Sequence, residues 1–348
     1  MTKYLVKNKE ELQEIIKTNS KPLNSLDVSN ITDMSFLFSN ISNVTYFDID
    51  SWDTSNVTTM DSMFEGCSSL ITIPLLNTSN VTNMSGMFEG CSSLITIPLL
   101  NTSSVADMYR LFEGCKSLTT IPLFDTSSVS DMSYMFEGCS SLTTIPLLNT
   151  SNVTYMGSMF RNCYSLSTIP LLNTSNVTYM GSMFNNCSSL TTIPFLNTSN
   201  VSDMSGMFEG CSSLITIPLF DTSNVSFTYS TFSNCSSLTT IPFLNTKNVS
   251  NMNSMFDGCT SLITIPLLDT SSVSNMYRLF EGCSSLTIIP LLNTSNVSSM
   301  SSMFKGCSSL PLVDKILFLD KSNNDFKRQI YLQMSQEQLQ QTYNNLVV

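Results

Sequence analysis

The sequence predicts an α/β solenoid: a right-handed superhelix of 24-residue coils, with a short strand on one side, a helical or 3-10 turn on the other, and a cap at each end. Three observations predict it. The eleven cysteines run from Cys67 to Cys307, and the step between them is 24 every time. Phe64 to Phe304, Leu70 to Leu310, Ile73 to Ile289, Pro74 to Pro290 and Val57 to Val297 keep the same step with no insertion. So many columns in phase are the signature of a repeat array, in which each unit stacks on the last. Third, the residue before each cysteine is always Gly or Asn, for example Gly66, Gly114, Asn162 and Asn234. These residues tolerate the left-handed conformation, so each coil is expected to turn there with positive φ.

One coil can be read in order. Leu94–Ile97 is apolar and β-branched, a short strand that Pro98 ends because proline has no N–H for a ladder. Leu99 and Leu100 are expected to turn the chain inward, and Asn101-Thr102-Ser103 reads as an Asx or Ser/Thr turn. Val105, Met108, Leu111 and Phe112 are spaced by three or four, as on a short helix or 3-10 turn with one buried face. The Phe, Cys, Leu, Ile, Leu, Val and Met columns form the core. A single coil cannot bury them, but stacking at about 4.8 Å can, giving a rod or arc on the order of 50 Å long.

The ends differ from the middle. Residues 1–23 read as an N-terminal cap, in which Asn8 and Glu11 cap a helix carrying Leu12, Ile15 and Ile16. The solenoid is expected over 24–310, about 12 coils, and its first coils are degenerate, with Trp52 where later coils have leucine. Residues 311–348 read as a C-terminal cap, with Ser335 and Gln338 as a capping box flanked by Met334 and Leu339 as a staple.

Composition narrows the function. Charged residues are 12% of the 348, net charge is −11, and there is no histidine. The acidic balance disfavours nucleic acid and anionic lipid. Lack of histidine removes the commonest general base and metal ligand. The cysteines have no C-x-x-C spacing and read as buried free thiols rather than disulfides or a metal site. The mostly acidic column Glu65, Glu89, Glu113, Glu137, broken by Arg161, reads as solvated surface, with a calcium site as the sharper alternative. The Asn77–Asn293 and Thr78–Thr294 columns read as structural ladders. No cofactor or metal is expected, and no constellation for catalysis is present, so the chain reads as no enzyme.

The columns C-S-S-L-I-T-I-P and M-F-E-G-C resemble the BspA-like leucine-rich repeats of bacterial and protist surface proteins. The degenerate coils, Asp27–Met34 and Ser51–Met60, look like the related bacterial surface-protein family of 26-residue repeats. Together they cover roughly residues 24–310. The resemblance implies a leucine-rich-repeat-like solenoid, at the cell surface or secreted, with adhesion as its role and host or cell-surface proteins as partners. It carries no catalytic residues. No apolar signal segment follows Met1–Lys7, which leaves a cytoplasmic location open. No run is long enough for membrane insertion.

Candidate contacts lie where the repeat varies. The columns at 83, 85 and 86 carry Asp107, Tyr109, Arg110, Asp131, Tyr134, Tyr155, Tyr179, Asp203, Phe227, Tyr229, Tyr277 and Arg278. These columns do not hold the coil together, and Tyr and Arg are the residues enriched in binding hot spots. A protein-binding or adhesion scaffold is therefore the first reading. The alternative is a glycan- or ice-binding face made by the regular Thr72–Thr264 rank on the strand side.

Overall fold

The computed structural model describes residues 3–290, 292–319 and 331–347. Positions 1 and 2 of the expected N-terminal cap, and 320–330 and 348 of the expected C-terminal cap, lie outside the described residues. The chain forms two compact units, Met1–Val177 and Thr178–Val348.

In the first unit, strand β1 (Tyr4–Leu5) pairs in parallel with β2 (Leu26–Asp27), and helix α1 (Lys9–Thr18) lies between them in sequence. Asn8 Oδ1 accepts from the Glu11 N–H at 3.0 Å, as an N-cap should. Glu11 reaches back one residue further than a capping box requires and accepts from the Lys7 N–H at 2.7 Å. Leu12 and Ile15 are buried. Trp52 fills the place of a later leucine, is buried, and donates its indole N–H to the Leu23 carbonyl at 2.8 Å. In the second unit, α2 (Leu312–Leu319) packs against α3 (Gln336–Val347). Ser335 and Gln338 cap α3 reciprocally, at 2.9 and 3.3 Å, and Leu339 is buried beside them.

The stretch read as helical is built differently. Along Met84–Cys91 the N–H groups alternate between two destinations. Those of Gly86, Phe88 and Gly90 donate to Tyr109, Leu111 and Glu113 of the next coil at 2.7–3.0 Å. Those of Met87, Glu89 and Cys91 donate three residues back within the coil at 2.9–3.2 Å. A helix would direct all of them inward along one chain; here the residues at 86 and 90 have φ of 58° and 71°. A positive φ at the third residue of a turn is the type II geometry, so this side is a run of tandem turns rather than a helix or 3-10 segment.

The turn column before each cysteine is as expected: all eleven Gly and Asn residues there have positive φ. A second left-handed column stands at 62, 86, 110, 134, 158 and their equivalents, filled by Ser, Gly, Arg and Tyr.

The expected strand is reduced too. Ser93 and Ile95 donate to Ser68 and Ile71 of the preceding coil, and the pairing stops before Pro98. Parallel bridges instead follow the column Thr59, Asn83, Asp107, Asp131, Tyr155 in the first unit, and Tyr179, Asp203, Phe227, Asn251, Asn275, Ser299 in the second. Thr264 with Ile288 is the one bridge on the expected strand among the described residues.

Inside, each coil repeats one set of contacts. The phenylalanines stack: Phe64, Phe88, Phe112 and Phe136 lie 5.6–5.8 Å apart within 13° of parallel. Phe208, Phe232, Phe256 and Phe280 do the same in the second unit at 5.7 Å. The cysteines are free and buried. Within each unit the thiols donate to a phenylalanine carbonyl of the preceding coil, as Cys91 does to Phe64 at 3.1 Å and Cys259 to Phe232 at 3.0 Å. Burial pushes Cys67 and Cys307 up to about 11, and Cys211 and Cys259 up to about 12.

The threonine ladder satisfies turn carbonyls. Buried Thr102 Oγ1 donates to the Asp125 carbonyl at 2.8 Å, and Thr78 does so to Asn101 at 2.8 Å. Asn101 Oδ1 in turn accepts from the Ser103 N–H at 3.1 Å, an Asx turn. Thr102→Val keeps the shape and leaves the Asp125 carbonyl without its donor. The expected loss is about 1–3 kcal/mol, read as a lower urea midpoint at unchanged slope, and Thr102→Ser recovers most of it.

Candidate functional site

Two exposed regions distinguish themselves, and the sequence pointed to one. On the tandem-turn side of the first unit, three of the named residues come together. The Arg110 guanidinium lies over the rings of Tyr109 at 5.1 Å and Tyr134 at 5.2 Å, and those rings meet edge to face at 5.5 Å. Backbone pairing between the coils brings them together: the Arg110 N–H donates to the carbonyl of Ser133, the residue before Tyr134. Arg110 also pairs with Glu89 at 3.5 Å and Glu113 at 3.4 Å. Both Arg110 and Tyr134 hold positive φ, 57° and 61°, a conformation that costs a side-chain-bearing residue about 1–2 kcal/mol.

The acidic column is therefore not simply solvated. Glu113 and Glu137 are half-buried; Arg110 bridges Glu89 and Glu113, and Arg161 lies 3.5 Å from Glu137. Burial pushes Glu113 up to about 7, against the pull of Arg110, with Glu89 and Glu137 adding to the rise. Among the described residues no group of three or more His, Cys, Asp or Glu is placed to hold a metal.

The remaining named residues are spread out. Asp107 and Asp131 are half-buried bridge partners, and each carboxylate accepts the N–H two residues on, as Asp131 does from Ser133 at 2.7 Å. Tyr155 is exposed on the same column. In the second unit Arg278 lies 5.1 Å from the Tyr277 ring and 3.0 Å from Glu281. Tyr179, Phe227 and Tyr229 are exposed, and Asp203 is half-buried.

The second region was missed. Leu75, Leu99, Leu123, Leu147 and Leu171 of the first unit are 62–68% exposed, and Phe195, Leu219, Phe243 and Leu267 of the second are 61–63% exposed. Leu99 does not turn inward; only its neighbour Leu100 is buried. The signal was available: adjacent residues of an extended segment face opposite sides, so Leu99 and Leu100 cannot both enter the core. Beside this ridge stand the exposed Ile71 and Ile95, and the threonines of the expected rank, Thr96, Thr120, Thr144 and Thr168, which face solvent as anticipated. The stretch 69–76 and its 24-residue equivalents as far as 285–292 contain no charged residue. Within each unit this makes a row of exposed apolar side chains, a candidate contact surface.

The profile of a family described as "Mycoplasma protein of unknown function, DUF285" matches residues 6–120, 95–194, 167–263 and 230–323. No curated protein matches the sequence. Among solved structures, a leucine-rich repeat protein from Bacteroides ovatus is 23% identical, with 73% of this chain and 69% of that one covered and a TM-score of 0.51. A leucine-rich cell surface protein from Faecalibacterium prausnitzii is 18% identical over 82% of this chain and 77% of that one, TM-score 0.40. The first likeness supports a leucine-rich-repeat solenoid, the fold the sequence predicted. Among the described residues no helix is long and apolar enough to cross a membrane.

Proposed function

The chain belongs to the family described as "Mycoplasma protein of unknown function, DUF285", and we propose that it is a non-enzymatic protein-binding scaffold that engages host or neighbouring-cell proteins from the cell surface or in secreted form. The observation that carries this reading is the aliphatic ridge. Each unit displays leucine or phenylalanine at the same place in successive coils, more than half exposed, on a stretch that carries no charged residue of its own. A partner that covers them gains the hydrophobic free energy that the fold leaves unused. The threonine rank shares this face, and bulky leucines beside it favour a protein surface over an ice lattice.

The test is binding of the full chain to an array of purified extracellular-matrix proteins. The variant carries Leu99→Lys, Leu123→Lys and Leu147→Lys together. Saturable binding by the parent is expected, with loss of about a hundredfold or more in the variant and no change in melting temperature. Equal binding by both rejects the ridge as the contact face.

A second contact on the tandem-turn side is supported by the Tyr109–Arg110–Tyr134 cluster, which holds two strained residues in place. Arg110→Gly restores the residue found at the equivalent positions Gly86 and Gly206. It is expected to leave stability within about 1 kcal/mol and to weaken the same binding about tenfold.

A further inference from the structure

The ridge is not uniform. In the first unit it is leucine throughout, whereas in the second two phenylalanines, Phe195 and Phe243, flank Leu219. They stand two coils apart, about 10 Å at ordinary strand spacing. The longer rings rise on either side of the leucine and make a cleft of about 390 Å³, with Asn197, Asp221 and Asn245 along one edge. Asp221 replaces the asparagine of most coils and puts a carboxylate at the middle of that edge. One carboxylate oxygen accepts from the Ser223 N–H and hydroxyl at 3.0 and 2.7 Å, which holds the group in its ionised form. The nearby basic residue, Lys247, acts on Asp269.

The first unit shows what this combination accommodates. There a guanidinium lies against two aromatic rings beside carboxylates, in the Arg110 cluster. The second unit's cleft has the two rings and the carboxylate, and no described cation of the chain lies over either phenylalanine. Planar guanidinium is the cation suited to stacking on rings and to pairing with a carboxylate at once. We propose that the cleft formed by Phe195, Leu219, Phe243 and Asp221 receives an arginine side chain of the partner protein, stacked between the two rings and paired with the carboxylate. This rests on the protein-binding reading and names the chemistry that the second unit selects.

The experiment titrates N-acetyl-arginine amide into the full chain carrying labelled leucine methyls and backbone amides, and follows the Leu219 methyl and position-221 amide resonances, which every variant retains. N-acetyl-citrulline amide, of the same shape without the charge, and a disaccharide such as chitobiose serve as comparison probes. Saturable shifts with arginine, at least about fivefold weaker with citrulline, are expected. Replacing both rings by the ridge's usual residue, Phe195→Leu with Phe243→Leu, should weaken binding about tenfold. Asp221→Asn, which restores the common residue, should weaken it about threefold. Because these variants return the coil to its own repeat, they keep the fold, which circular dichroism verifies. Equal response to citrulline, response to chitobiose alone, or indifference to the ring substitutions overturns the proposal. The two readings fail separately: a chain that binds matrix protein through its leucines but ignores arginine loses only this inference.

Discussion

Raising the pH from about 9 towards 11 should unfold the second unit. Its thiols Cys211, Cys259 and Cys307 are pushed up to about 12, about 12 and about 11, and burial raises Cys235 and Cys283 as well. An unfolded thiol titrates near 8.5, so above that pH the unfolded chain binds fewer protons than the folded one and stability falls as pH rises. The contribution is fully present below the unfolded value and is lost through the window up to the folded values. Each thiol removes about 1.4 kcal/mol per pH unit, so five remove about 7 kcal/mol per unit. A domain of ordinary stability, about 5–15 kcal/mol, does not survive two such units. Far-UV circular dichroism against pH would show a steep cooperative loss, and Cys259→Ser, whose hydroxyl does not ionise there, would make it shallower. A signal unchanged up to the folded value of Cys307 contradicts the prediction.

Phe112→Ala should be the most damaging single truncation. The ring is fully buried, stacked on Phe88 at 5.6 Å and Phe136 at 5.7 Å, and close to Phe124 at 6.2 Å. Its removal leaves a cavity that touches three coils and that rigid neighbours cannot fill. Large-to-small changes of this kind cost about 3–5 kcal/mol. In a stack each coil is stabilised by its neighbours, so the loss falls on two interfaces at once. Leu99→Ala, on the exposed ridge, should cost no more than about 0.5 kcal/mol. The pair is read by urea denaturation of the two variants side by side. Similar midpoints would mean that the phenylalanine column does not carry the fold.

The contrast between Phe112 and Leu99 also measures how much could be read from the sequence. Period, core columns and the Gly/Asn turn were legible because each demands a residue type: apolar where burial is complete, φ-tolerant where the backbone reverses. The second left-handed column was hidden because Ser62, Arg110 and Tyr134 carry no such signature; their conformation is imposed by bonds to the next coil, such as Arg110 N–H to the Ser133 carbonyl at 3.1 Å. Spacing by three and four suggested a helix at Val105–Phe112. Tandem turns bury residues at that spacing too, and only the destination of each N–H separates the cases. Leu99 looked like core because leucine is the same residue inside and out. Of the candidate site, the choice of variable columns led to the Arg110 cluster, but which residues touch depends on the offset between coils, which a single row of letters does not contain.

The forward donation from Gly86, Phe88 and Gly90 to the following coil has an evolutionary corollary. An interior unit meets identical acceptors above and identical donors below, so excising or copying one, in phase, remakes every bond that it breaks. Slippage of a gene by a whole period is structurally silent, whereas slippage by a residue more or less would set other residues at the left-handed turn before each cysteine, which only glycine and asparagine fill. Array length is thus free to drift under selection for reach, while the wording of each unit is not.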